Sequence, residues 1–145
     1  MRLQKNTSLA LYSVLEFART PERHIAAAEI AEKYDISAHH LAKVLAELAR
    51  SGILASVRGA GGGYRFTGNA KRLTLMDIIQ MFEDFGGGTA ARAAPQSGPV
   101  EAALGLVLSE IDENAKATFK SITLATMLRL IERQQAGTGS PRGTR

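Results

Sequence analysis

The sequence predicts a mainly α chain: a winged helix-turn-helix with a two-stranded wing and a long C-terminal dimerisation helix. Three observations carry it. Two helical apolar patterns in the first fifty positions are separated by only three turn-forming residues, Asp35-Ile36-Ser37. A glycine run between two short β-prone segments follows directly, and an amphipathic stretch of about twenty residues lies beyond Pro99.

From Ser8 to Thr20, Leu11, Val14, Leu15 and Ala18 keep helical spacing, with Asn6, Thr7 or Ser8 as candidate caps and Pro21 closing the end. A second periodic piece runs from about Ala26 to Tyr34, with Ile30, Ala31 and Tyr34 on one side and Glu29, Glu32 and Lys33 on the other. In the turn, Asp35 tolerates an unusual backbone conformation and Ser37 caps the next helix, while Ile36 and Leu41 take the two positions of a hydrophobic staple. Leu41, Val44, Leu45, Leu48 and Ala49 then form the stripe of a helix lying on a core, ended by Gly52. Two helices joined in this way are the pattern of a helix-turn-helix. The outer face of the second presents Ala38, His39, His40, Ala42, Lys43, Ala46, Glu47 and Arg50, with its donors near the helix start, where bases are read.

Ile53 to Val57 and Tyr64 to Phe66 flank Arg58-Gly59-Ala60-Gly61-Gly62-Gly63 and predict a hairpin, the wing, whose glycines permit close approach to a phosphate or groove. A P-loop would need Gly-Lys-Ser/Thr after the run, and a dinucleotide fingerprint a glycine at Tyr64; both fail. Thr74, with Asp77 three residues on, starts a fourth helix carrying Leu75, Ile78, Ile79 and Phe82 and ending at Phe85. Residues 86–99 have linker composition. Beyond them Val100, Leu104, Val107, Leu108, Ile111, Ala115 and Phe119 repeat on a near-heptad spacing. Such a stripe buries against a second copy of the chain, with packing on the first helix as the competing arrangement. Leu124, Met127, Leu128 and Ile131 continue the pattern after Thr123, whether or not Ser121 to Thr123 break it, and residues 136–145 are expected to be a disordered tail. The expected organisation is therefore a DNA-binding domain over 1–85, a linker over 86–99, a dimerisation region over 100–135 and the tail.

Composition narrows the chemistry. The 145 residues include no cysteine, which removes disulfides, thiolate zinc sites, a cysteine-ligated iron–sulfur cluster and a cysteine nucleophile. No apolar run approaches the roughly 20 residues of a membrane span, and Met1 to Thr7 lacks the apolar core of a signal peptide, so a cytoplasmic protein without membrane contact is expected. The net charge of +4 is uneven: residues 1–72 carry 11 basic and 6 acidic side chains, the remainder 7 and 8. Arg50, Arg58, Arg65, Lys71 and Arg72 lie in a stretch without any carboxylate, which attracts a polyanion, although a merely solvated basic face would look the same in isolation. His24, His39 and His40 are the only histidines, and adjacent helix positions point about 100° apart, so no metal site is expected. The methionines Met76, Met81 and Met127 and the aromatics Tyr12, Phe17, Phe82 and Phe119 read as packing. No nucleophile, base and carboxylate arrangement suggests an enzyme.

Val57-Arg58-Gly59-Ala60-Gly61-Gly62-Gly63-Tyr64-Arg65 resembles the wing of the Rrf2 family of bacterial winged-helix regulators. Met1-Arg2-Leu3, Ile36-Ser37-Ala38-His39-His40-Leu41, Leu73-Thr74-Leu75-Met76-Asp77-Ile78-Ile79 and Ile122-Thr123-Leu124 support the likeness, which covers roughly residues 1–132. The resemblance implies a dimeric transcription factor, in most members a repressor, on double-stranded DNA. By position, Ser37, His39, His40 and Lys43 would face the major groove and Arg58, Gly59, Gly61 and Arg65 would serve the wing. Leu104, Val107, Leu108, Ile111, Ala115 and Phe119 would form the dimer seam. Family sensors hold an iron–sulfur cluster through three cysteines between the fourth helix and the dimer helix; here residues 86–103 offer none, so no cofactor is expected. Control would then come from an unidentified small molecule, a partner protein or the protein's abundance. A winged-helix module that binds only another protein is the alternative, and the small or basic outer residues of the third helix argue against it.

Overall fold

The computed structural model describes residues 3–58, 63–83 and 98–138, with Thr138 by its backbone alone. Among the described residues, six helices and one hairpin follow in order: α1 (Lys5–Arg19), α2 (Ala27–Lys33), α3 (Ala38–Arg50), β1 (Leu54–Val57), β2 (Gly63–Phe66), α4 (Leu75–Phe82), α5 (Pro99–Ser121) and α6 (Leu124–Thr138). The winged helix-turn-helix expected from the sequence is the observed architecture.

The core lies where α1, α3, the hairpin and the start of α6 converge. Phe17, Leu41, Leu45, Leu48, Leu54, Ile78 and Leu124 are fully buried there. Both helices of the helix-turn-helix end in the same way. After α2, Asp35 takes φ +51°, and Ile36 N–H donates to the Ala31 carbonyl at 2.8 Å; after α3, Gly52 takes φ +83°, and Ile53 N–H donates to Leu48 O at 3.1 Å. These six-to-one bonds around a left-handed residue satisfy carbonyls that the helix would otherwise leave open. The turn is thus a helix stop followed at once by a helix start, since Ser37 Oγ accepts from His40 N–H at 3.4 Å and Ile36 packs on the core with Leu41.

Several boundaries differ from the sequence reading, and at the start of α1 and the end of α4 the reason is long-range. Gln4, not Asn6, Thr7 or Ser8, is the first cap position of α1, and its own side chain makes no cap bond. The cap comes from Glu83, whose Oε1 accepts from Gln4 N–H and, at 2.9 Å, from the buried Thr7 hydroxyl. That carboxylate complements the positive helix start. Helix α4 begins with the expected capping box, Thr74 Oγ1 accepting from Asp77 N–H at 3.2 Å and Asp77 Oδ2 from Thr74 N–H at 2.9 Å, but it ends at Phe82. Glu83 is already extended there and turned to α1.

The chain does break before Leu124. Ile122 and Thr123 are non-helical because they pair with the segment before α4: Leu75 N–H donates to Ile122 O at 2.9 Å and Leu124 N–H to Leu73 O at 2.8 Å. Thr123 Oγ1 then accepts from Thr126 N–H, starting α6, which folds back on α1. Residues 136–138, expected within a tail, are helical; the rest of that expected tail, and residues 86–97 of the expected linker, lie outside the described residues. Pro99 opens α5.

Candidate nucleic-acid interface

Helix α3 is held from behind. Its buried residues Leu41, Val44, Leu45 and Leu48 occupy one side, and at about 100° per residue the opposite side carries His39, Lys43, Ala46 and Arg50, all exposed. Ser37 stands exposed at its start with its hydroxyl engaged as the cap. Lys43 makes no hydrogen bond or ion pair among the described residues, whereas Arg50 pairs with Glu47. The result is a rigid helix whose free donors project from its N-terminal half.

His40 departs from this group. It sits about 100° round the helix from His39, half-buried between α1 and α4, and its Nε2 is closed to solvent without a partner. It belongs to the flank of α3, not to its outer face. The sequence reading placed it on that outer face beside His39, and the position of α4 is what turns it to the flank.

The wing is an antiparallel pair with Leu54 opposite Phe66 and Val57 opposite Gly63. Leu54 and Phe66 turn into the core, and Tyr64 meets Phe17 edge-on with ring centroids 6.3 Å apart. The exposed Arg65 stands opposite Ala55 on the other face, and Arg58 is exposed where β1 leads into the tip. Gly59 and Gly61 lie outside the described residues. Gly63, the last of the run, has an internal duty: Ile25 and Tyr64 exchange backbone hydrogen bonds at 2.9 Å, and a Cβ on Gly63 would come within 2.3 Å of Ile25 O. The absent side chain lets the α1–α2 connection join the hairpin as a third, one-residue strand. That contact was invisible in the sequence, where the glycines read only as wing-tip freedom.

Behind α2, Glu16 of α1 fixes the first helix of the motif. It accepts from Lys33 Nζ at 2.6 Å and Tyr34 Oη at 2.7 Å, with Arg19 3.7 Å away. Burial alone would raise the Glu16 carboxyl, but the hydrogen bonds from Lys33 and Tyr34 and the nearby cations bring it below its ordinary value. Tyr34 moves upward, through burial and through donating to that carboxylate. Tyr12, read as packing, is 47% exposed and stacks on Tyr34 at the surface, ring centroids 5.1 Å apart.

Helix α5 is placed differently. It packs on α4, and its half-buried positions Gly105, Ser109, Asp112 and Lys116 share one face. Leu104, Val107, Leu108 and Ile111 lie about 120° round the helix and are 58%, 54%, 42% and 56% exposed. Ala115, within the stripe, and Phe119, at the boundary between the two faces, are half-buried. Packing of the stripe on α1, the competing arrangement, is not what the chain does; α6 takes that position. Among the described residues, no helix is long and apolar enough to cross a membrane.

The profile of the Rrf2 family, described as an iron-dependent transcriptional regulator, matches residues 3–130. The chain belongs to the Rrf2 family. It is a transcriptional regulator of the winged-helix type and not an enzyme. The HTH-type transcriptional regulator BadM of Rhodopseudomonas palustris is 49% identical over 138 residues, covering 95% of this chain and 88% of that protein. Among solved structures, CymR (YrzC) of B. subtilis superposes with a TM-score of 0.72 at 24% identity, covering 90% of this chain and 98% of that one. T. potens IscR does so at 0.75 and 23%, covering 99% and 94%. These two likenesses show the fold.

The iron in the family's description has no cysteine to hold it in this chain. There is no cysteine in the sequence, and among the described residues no three His, Asp or Glu side chains come together as a metal site would need. The residues present do not fit a cysteine-ligated cluster of this Rrf2 regulator.

Proposed function

We propose that this Rrf2 protein is a cytoplasmic, sequence-specific repressor that binds an inverted repeat as a homodimer and works without a cysteine-ligated iron–sulfur cluster. The observation that carries the reading is the division of α3: one side sealed into the core, the other presenting Ser37, His39 and Lys43 with no apolar side chain larger than alanine among them. Two such helices, joined through the α5 stripes, would enter successive major grooves about 34 Å apart. Arg58 and Arg65 would add backbone or minor-groove contacts, with Gly59 and Gly61 at the wing tip. The N-terminal excess of positive charge supports attraction to the duplex. Burying Leu104, Val107, Leu108 and Ile111 against a copy would contribute about 1.5 to 3 kcal/mol for each side chain fully covered.

The test is a fluorescence-anisotropy titration against duplexes selected by the protein from a random-sequence pool, with scrambled duplexes as control. Selective binding by the purified, cofactor-free protein is expected. Lys43→Ala and Arg58→Ala should each weaken it and lower the slope of log K against log salt by about one unit. Equal affinity for selected and scrambled DNA, or an unchanged slope in both variants, would contradict the reading.

A further inference from the structure

We propose that a cleft on the flank of α3 binds a small organic monoanion, a carboxylate on a short apolar body, and that this ligand competes with DNA. The cleft lies between the start of α1 at Asn6, the flank of α3 and the end of α4, and has a volume of about 520 Å³. That falls within the roughly 300 to 1,000 Å³ typical of ligand pockets.

Its walls divide by chemistry. Val44, Met81 and Phe82 supply an apolar side, the first buried and the other two half-buried. His40 lines the cleft, and its Nε2 meets no partner although buried polar atoms are normally satisfied; that nitrogen is covered in this conformation, so a ligand reaches it only after a turn of the ring. Once turned to the cleft, a ring N–H there would donate to a carboxylate oxygen. The charges are Lys43 and Arg50 against Glu47, and Glu47 is already held by Arg50. Among the described lining residues one uncompensated positive charge remains, on Lys43. It matches a monoanion and leaves a phosphate dianion with a charge unmet.

Coupling to DNA follows from where Lys43 stands. It borders the cleft and also projects from the outer face of α3, so a carboxylate held there neutralises a charge offered to the duplex. By linkage, DNA must weaken the ligand by the factor that the ligand weakens DNA. This second half rests on the DNA reading above; binding of the anion to the free protein does not.

The experiment is calorimetry on the DNA-free chain with hexanoate, hexyl phosphate and acetate, together with NMR of the His40 imidazole. Hexanoate should saturate at one per chain and shift the His40 signals, with acetate and hexyl phosphate weaker. His40→Phe and Lys43→Gln should each weaken hexanoate at least about tenfold, while Arg133→Gln on α6 should not. If His40→Phe fails to fold, Lys43→Gln, at an exposed position, still decides the matter. No saturable binding up to about 10 mM, binding indifferent to both substitutions, or tighter binding of hexyl phosphate would overturn the site. Hexanoate near saturation should raise the DNA Kd about tenfold in the native protein and leave it unchanged in His40→Phe. Saturation with no change in DNA affinity would overturn the competition, and a protein that binds hexanoate but never binds DNA would sink the DNA reading while the site stands.

Discussion

Helices α3 and α5 carry apolar stripes of the same kind and meet opposite environments. Leu41, Leu45 and Leu48 of α3 are wholly buried by α1, α2 and the hairpin, whereas no residue of the 23-residue α5 is buried at all. The difference is one of closure. Each neighbour of α3 is delivered to it by a short connection, so the stripe is covered within the chain. Helix α5 is anchored through the pairing of Ile122 and Leu124 with residues 73–75 and touches α4 along one face. Its stripe, about a third of a turn away, stays exposed in the single chain. A helix pattern in a sequence therefore promises burial but does not say by which chain.

The sharpest break in that comparison is a truncation on each helix. Leu45→Ala should cost about 3 kcal/mol of unfolding free energy, as core truncations of leucine do, while Leu104→Ala, measured at protein concentrations low enough to keep the chain monomeric, should cost under about 0.5 kcal/mol. Urea denaturation followed by circular dichroism separates them. Next in size is Ile111→Glu, which places a charge in the stripe: it should leave the fold intact and weaken self-association by about 2 kcal/mol, roughly thirtyfold in Kd, read by sedimentation equilibrium. Gly63→Ala should then cost about 1.5 kcal/mol through overpacking, because the Ile25 backbone cannot yield as a flexible side chain would; hydrogen exchange at Tyr64 N–H would report the loosened bridge.

The smallest effect is a matter of pH. Since the Glu16 carboxyl lies below its ordinary value when folded, its contribution is fully present above the unfolded carboxyl range and is lost as pH falls through the lower folded value. Glu16→Gln should remove about 1 kcal/mol at neutral pH and flatten the acid limb of the stability curve. A melting temperature that falls equally with acid in both proteins would contradict this.

Much of this was legible from short-range pattern. The Asp35–Ser37 turn, the Thr74–Asp77 capping box and the stop at Gly52 depend on residues within a few positions of one another, and each appears where spacing placed it. What the sequence withheld is long-range. Glu83 caps a helix 79 residues earlier in the chain, the α5–α6 break exists because of residues 73–75, and Gly63 is required by Ile25. The half-burial of His40 escaped the sequence for the same reason: a periodic pattern gives an angle around the helix axis, and a neighbour from elsewhere decides what that angle faces.

The most direct test of the whole account is the stoichiometry of the DNA complex, measured by sedimentation velocity on a labelled selected duplex with the native protein and with Ile111→Glu. Two chains per duplex, falling to weak or no binding in the variant, is the predicted result. One chain per duplex, with Ile111→Glu bound as tightly as the native protein, would contradict the joining of two α3 helices through α5.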